Sequence, residues 1–255
     1  MKIVPCIEWL FKAEHDAIAD RIRAAGAAGC EAVDLHLWRD KPLAEIEAAL
    51  AETGVRVFSL CVDPRSSLVD PAEHAALLAA VRDAIPVAQR LGHAGLIVAS
   101  GFNRPDVPEA EQRAAAVQVL RDAARLAEAG GVTLLLEPVN MVVGGQPMFV
   151  RTIRHGLDIV EAVGSPALRL LADVYHSAVS GETLEEAFGS RIGLVAHVQV
   201  ADTEGRHEPG TGRIDWAALM ALLRRAGYAG DIGLEYLPTL PADASLALAR
   251  RSLGL

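Results

Sequence analysis

Lysine is almost missing from this chain of 255 residues: it occurs only at positions 2, 12 and 41, and the other basic residues are arginines. Together with the abundance of alanine, that bias reflects a GC-rich coding sequence more than a function. Aromatic residues are scarce, 4% against 51% apolar overall, so a large core has to be packed mainly by Leu, Val, Ile and Ala. Positive charge is also in deficit. A net charge of −9 disfavours a polyanion-binding surface, because affinity for nucleic acid depends largely on cationic neutralisation of phosphates; no nucleic-acid partner is expected. The three cysteines, Cys6, Cys30 and Cys61, form no CxxC motif and cannot all pair. Cys6 and Cys61 lie in apolar runs, where a buried free thiol is the usual state. No apolar run approaches the roughly 18 residues of a membrane span, and no leader-like apolar segment follows Met1. The expectation is a soluble, cytoplasmic protein in a reducing compartment, with no membrane partner.

What the chain does have is alternation. Short β-rich runs stand at 2–7, 31–37, 55–62, 95–100, 132–137, 168–173, 193–200 and 231–236, and helical patterns fill 14–27, 42–53, 71–91, 109–129, 149–163, 181–189, 215–226 and 242–252. Eight such alternations imply parallel strands with crossover helices. At this length they favour closure over an open doubly wound sheet. The fold class expected is α/β, a single (β/α)8 TIM barrel covering residues 1–255 as one domain. Local punctuation agrees. Gly130-Gly131 stops the fourth helix, Asp215 can cap the seventh, whose Trp216, Leu219, Leu222 and Leu223 share a face, and Gly227 ends it. Pro86 predicts a kink or break near Ile85.

Four acceptor side chains close four consecutive strand-like runs. Glu137 ends 132–137, Asp173 ends 168–173, Gln199 lies near the end of 193–200, and Glu235 follows Ile232-Gly233-Leu234, at intervals of 36, 26 and 36 residues. In an α/β barrel the carboxyl ends of all strands meet on one face, where active sites sit. A lone strand-end glutamate often only caps a helix or pairs with an arginine. Several carboxylates buried together repel unless a cation neutralises them. Three carboxylates and an amide oxygen make a hard, oxygen-rich set suited to Mg²⁺ or Mn²⁺. That points to an enzyme.

The surrounding motifs are specific. Leu136-Glu137-Pro138-Val139-Asn140, Asp173-Val174-Tyr175-His176, Ala196-His197-Val198-Gln199-Val200-Ala201-Asp202, Gly205-Arg206-His207-Glu208-Pro209-Gly210-Thr211-Gly212 and Gly233-Leu234-Glu235-Tyr236 follow in that order, after an early Trp9-Leu10-Phe11 with Glu14. This resembles the hydroxypyruvate isomerase group of the xylose isomerase-like barrels, which also contain ketose 3-epimerases, inosose-processing enzymes and endonuclease IV. The resemblance implies one divalent metal held by Glu137, Asp173, Gln199 and Glu235, with Glu137 and Glu235 flanking the substrate as acid/base groups. It implies that His176, in the loop leaving the sixth strand, hydrogen-bonds a substrate oxygen and that Arg206 contacts a substrate hydroxyl or carboxylate, where its planar fork favours bidentate binding; a structural loop histidine and a surface ion pair of Arg206 with Glu204 or Glu208 are the plainer alternatives. Trp9 walls the pocket or packs in the core. His197 shares a face with Gln199 and is expected to be a packed, hydrogen-bonded barrel residue. His36 is read the same way and assigned no chemistry.

The expected activity is therefore a metal-dependent aldose–ketose isomerisation of a small hydroxy-carbonyl compound such as hydroxypyruvate, through an enediolate. The expected partner is a small sugar or hydroxy-keto acid; a homo-oligomer is neither required nor excluded. A ketose 3-epimerase, or a keto-sugar lyase or dehydratase, would use the same metal and glutamates. Departures from the resembling group fall in the loops: Cys61-Val62-Asp63-Pro64-Arg65-Ser66-Ser67 replaces an Asn-x-Pro-rich segment, Met141-Val142-Val143-Gly144-Gly145-Gln146-Pro147 replaces an Asp-x-Pro-Gly stretch, and Ser177-Ala178 follow His176. These loops leave the substrate open. An abasic-site endonuclease is disfavoured, because Cys61, Ser100 and Gly212 stand where extra histidine ligands would be needed.

Overall fold

The computed structural model describes residues 1–255. Along the chain the strands are β1 (Ile3–Pro5), β2 (Ala32–Asp34), β3 (Arg56–Cys61), β4 (Gly95–Ala99), β5 (Leu134–Glu137), β6 (Val142–Val143), β7 (Gln146–Pro147), β8 (Leu168–Asp173), β9 (Val195–Val200) and β10 (Ile232–Leu234). Eight of them form one parallel sheet in the order β1-β10-β9-β8-β5-β4-β3-β2, while β6 and β7 make a small antiparallel hairpin. The sheet curls until its two edges meet. Cys6 bridges Asp34, and the Ile7 amide donates to the Asp34 carbonyl at 3.1 Å. The result is a nearly closed barrel, as the alternation predicted.

Helices α1 (Ile18–Ala27), α2 (Leu43–Thr53), α3 (His74–Arg90), α4 (Glu109–Ala129), α5 (Ile153–Val163), α6 (Val174–Val179), α7 (Leu184–Phe188), α8 (Trp216–Arg225) and α9 (Ala242–Leu253) lie outside the strands. The main core of 69 buried residues is dominated by Leu, Val, Ile and Ala between sheet and helices. A separate apolar cluster of Cys61, Ile97, Leu135 and Leu171 plugs the barrel interior, as inward-facing strand residues do. All three cysteines are buried and unpaired. No helix is long and apolar enough to cross a membrane.

Several boundaries shift for physical reasons. Of the kink or break expected near Ile85, the break does not occur: α3 runs through Pro86, which lies on the exposed side, where water can take the carbonyl freed by its missing N–H. Helix α1 starts at Ile18 because residues 7–14 form turns over the barrel mouth. Asp215 caps α8 by accepting from the Ala218 amide at 2.9 Å, and Trp216, Leu219 and Leu223 are buried, with Leu222 at the edge of that face. His176 is not in a loop. Asp173 accepts from the amides of Tyr175 and His176 and so nucleates α6 directly at the end of β8.

Candidate active site

The carboxyl ends of β5, β8, β9 and β10 bring the four acceptors to one end of the barrel. Parallel register sets Asp173 beside Gln199, and Gln199 beside Gly233, two residues before Glu235. Gly233 is required by close approach: a Cβ there would meet His197 Nε2 at 2.5 Å and Gln199 Cγ at 2.7 Å. Beneath the acceptors lies a buried polar floor. Asp34 accepts from Ser59 Oγ at 2.5 Å, lies 2.9 Å from His197 Nε2, and takes Gln199 Nε2 at 3.4 Å. His197 is fully buried and stacks on Phe58 with centroids 4.1 Å apart, the packed role expected from alternation.

Above that floor the charges interlock. Donor atoms of Glu137, Asp173 and His176 lie within 4.8 Å of one another, with His176 Nε2 3.5 Å from Asp173 Oδ2. Arg206 Nη2 bridges Asp173 Oδ2 at 3.0 Å and Glu235 Oε2 at 3.2 Å, and its guanidinium lies over the Tyr175 ring. Arg206 therefore pairs inside the site, not with Glu204 or Glu208: Glu204 joins Arg213, and buried Glu208 accepts from the Thr239 and Leu240 amides. Trp9 lines the cavity, edge-on to His36 at 5.9 Å.

His36 corrects the sequence reading. Its Nε2 lies 3.1 Å from Glu235 Oε1 and 3.3 Å from Cys6 Sγ, so it touches an acceptor of the site instead of merely lining the barrel. His36 stands just past the end of β2, as Glu235 stands just past the end of β10, but its contact with Glu235 is made only when the barrel closes. Tyr175 was also missed, because only the helical turn after Asp173 folds its ring under Arg206.

The two glutamates sit in opposed environments. Burial, reinforced by the negative charges of Glu235 and Asp173, pushes the Glu137 carboxyl well above the usual range. Burial would raise Glu235 as well, but the His36 hydrogen bond and the charge of Arg206 outweigh it and hold that carboxyl well below the usual range. Burial works against the charge of Arg206, yet Asp173, Glu235 and Glu137 raise its pKa further.

The donor set fits a hard divalent cation. Gln199 turns its amide nitrogen onto Asp34, leaving Oε1 buried without a hydrogen-bond partner. A cation would satisfy that oxygen and offset the like-charge repulsion that lifts Glu137. Glu137, Gln199 and Glu235 open into a cavity of about 980 Å³ that extends over the loops following β3 and β4.

Known proteins resemble this chain in sequence and in fold. The sequence model of the xylose isomerase-like TIM barrel family matches residues 19–252. The chain belongs to that family. A 2-oxo-tetronate isomerase of Cupriavidus necator is 29% identical over 249 residues, covering 94% of this chain and 95% of that protein. The hydroxypyruvate isomerase of Escherichia coli is 26% identical over 241 residues, covering 91% and 92%. The crystal structure of an AP endonuclease, family 2, from Brucella melitensis superposes with a TM-score of 0.87 at 23% identity over 96% of both chains; at that identity it shows the fold alone. With these relatives, the chain is an enzyme of the aldose–ketose isomerase type.

Proposed function

We propose that this isomerase moves the carbonyl between adjacent carbons of a small hydroxy-keto acid of the hydroxypyruvate or 2-oxo-tetronate kind, using Glu137 and Glu235 as the proton-exchanging pair. The observation that carries the reading is the placement of these two carboxyls at one barrel mouth, both lining the same cavity, so that one can take a proton from a bound substrate and the other can return it. One glutamate takes the proton from the hydroxyl-bearing carbon, the C–H electrons form the enediolate double bond, and the carbonyl oxygen gains the negative charge. The other glutamate returns a proton to the former carbonyl carbon, while the hydroxyl proton passes between the two neighbouring oxygens. Glu137, Asp173, Gln199 and Glu235 would hold one Mg²⁺ or Mn²⁺, which when bound supplies Lewis-acid stabilisation of the developing oxyanion. His36 and Arg206 fix the two oxygens of Glu235, and His176, Arg206 and Trp9 surround the substrate.

A ketose 3-epimerase is the second reading, favoured by the cavity of about 980 Å³, which is ample for a six-carbon sugar. Both readings use the same glutamates, and the product distinguishes them. In D₂O an isomerase places deuterium on the carbon that loses its carbonyl, whereas an epimerase places it on C3 with the ketone unchanged. For either, Glu137→Gln and Glu235→Gln should lower turnover by roughly 10² or more, the scale of losing a positioned acid or base, while retaining part of the metal. Metal analysis should show one equivalent per chain, lost in an Asp173→Ala, Glu235→Ala double variant. Near-normal turnover in both Gln variants, or a full metal complement in the double variant, would overturn the assignment.

A further inference from the structure

Three arginines line the cavity, and two are already engaged: Arg206 holds Asp173 and Glu235, and Arg104 lies 3.4 Å from Asp70. The third, Arg65, has no carboxylate partner. Neighbouring acids are committed elsewhere. Asp63 accepts from the Trp38 and Arg39 amides, Glu73 from the Ser67 amide, and Asp70 from the Ala72 amide. Arg65 folds back over the barrel mouth, so that its Nη2 lies 3.9 Å from Sγ of Cys61, a residue of the barrel plug. Its charge is felt there. Burial and the charge of Glu137 lift the Cys61 thiol to about 12, with Arg65 pulling against them.

The loop that carries Arg65 is anchored at both ends. Asp63 is tied to Trp38 and Arg39, the Leu68 amide donates to the Ser100 carbonyl at 3.0 Å, and Leu68 and Val69 are buried. An arginine on a fixed loop loses less freedom on binding than one on a mobile loop, and its planar fork matches a carboxylate.

We propose that Arg65 is the carboxylate-recognition residue of this site and selects anionic 2-keto acids over neutral ketoses; this rests on the isomerase reading above and narrows its substrate class. Charge balance supports it. Glu137, Asp173 and Glu235 carry three negative charges, which Arg206 and a divalent cation together balance. An incoming carboxylate then needs one further cation, and Arg65 is the lining arginine not already paired.

The test uses two compounds that differ at one group: hydroxypyruvate, and dihydroxyacetone, which has a hydroxymethyl in place of the carboxylate. Metal-loaded wild-type protein and Arg65→Met are compared by kcat/KM with each compound, and by calorimetric binding of glycolate, an acid with no carbonyl to isomerise. The acid-to-neutral ratio of kcat/KM should fall roughly 10- to 100-fold in Arg65→Met, the scale of one charge-assisted hydrogen-bonding group, with most of the loss in KM. Glycolate binding should weaken by a similar factor, and Arg65→Lys should recover part of both. An unchanged ratio, an equal fall for both compounds, or unaltered glycolate affinity would overturn the proposal. If wild-type protein turns over neither compound, the isomerase reading fails on these substrates, while the glycolate arm still decides whether Arg65 binds the carboxylate.

Discussion

Replacing Asp202 by Asn tests how the loop carrying Arg206 is held. Asp202 lies just past the end of β9, fully buried, and each of its oxygens serves two donors. Oδ1 accepts from the Thr203 amide at 2.9 Å and the Ile214 amide at 3.3 Å; Oδ2 accepts from the Gly210 amide and the Trp216 indole, both at 2.9 Å. One carboxylate thus closes the segment 202–216, with Arg206 near its start in a left-handed conformation at φ 57°. An Asn keeps one oxygen and turns an NH₂ towards two donors. Each lost bond to a charged acceptor is worth about 1.5–3 kcal/mol. Because the bonds share one group they do not add fully, and a net loss of about 3 kcal/mol is expected. For a chain of this size that lowers Tm by about 6–12 °C.

The pH dependence has a definite sign. Burial would raise the Asp202 carboxyl, but hydrogen bonds from Trp216, Gly212, Gly210 and Thr203 outweigh it and lower the pKa. A lowered folded pKa adds stability that is fully present above the unfolded aspartate value of about 3.9 and is lost as pH falls through the folded value. The gap in Tm between wild type and Asp202→Asn, measured by scanning calorimetry, should therefore be widest near neutrality and close in acid below about pH 4. A Tm loss under about 2 °C at neutral pH, or a gap that persists unchanged in acid, would refute the account.

Two further outcomes are expected. Gly156→Ala on α5 would place a Cβ 2.5 Å from Leu170 Cδ1 and 2.9 Å from Pro138 Cγ, so overpacking should cost about 1–3 kcal/mol, read as a lower midpoint in urea; an unchanged midpoint contradicts this. Despite the endonuclease-like fold, abasic duplex DNA should not be incised at a meaningful rate, given the net charge of −9 and the residues Cys61, Ser100 and Gly212 where additional histidine ligands would be needed. Metal-dependent incision abolished by Glu137→Gln would show otherwise.

Most of the architecture was legible because it is written in local periodicity. The eight strands and the positions of Glu137, Asp173, Gln199 and Glu235 follow from alternation and from the rule that parallel strands end on one face. What escaped depends on how the elements lie against one another. His36 reaches Glu235 across 199 residues of sequence, through closure of the barrel, which no local window contains. His176 was read as loop, and Tyr175 given no role, because helix α6 is six residues long, too short to show helical periodicity, and is initiated by an Asp already read as a ligand. The break expected at Pro86 failed because propensity says nothing about which face of a helix is wet.

The pairing of β1 with β10 also has a consequence for the order of events during synthesis. β1 pairs with β10, Ile3 opposite Ile232, so the first strand made has no neighbour on that side until almost the entire chain has left the ribosome. Of the residues at the barrel mouth, His36 emerges among the earliest and Glu235 among the last. A partial chain can pack strands and helices in sequence, since most neighbouring strands are consecutive, but it cannot assemble the His36–Glu235 pair or the surface Glu235 completes. The full set of acceptors, with the His36 contact, comes into existence only with β10, and long-range pairing of this kind is intrinsically slow to form. A chain made only as far as β9 therefore holds Glu137, Asp173 and Gln199 without Glu235, and the four acceptors come together only once the ring is whole.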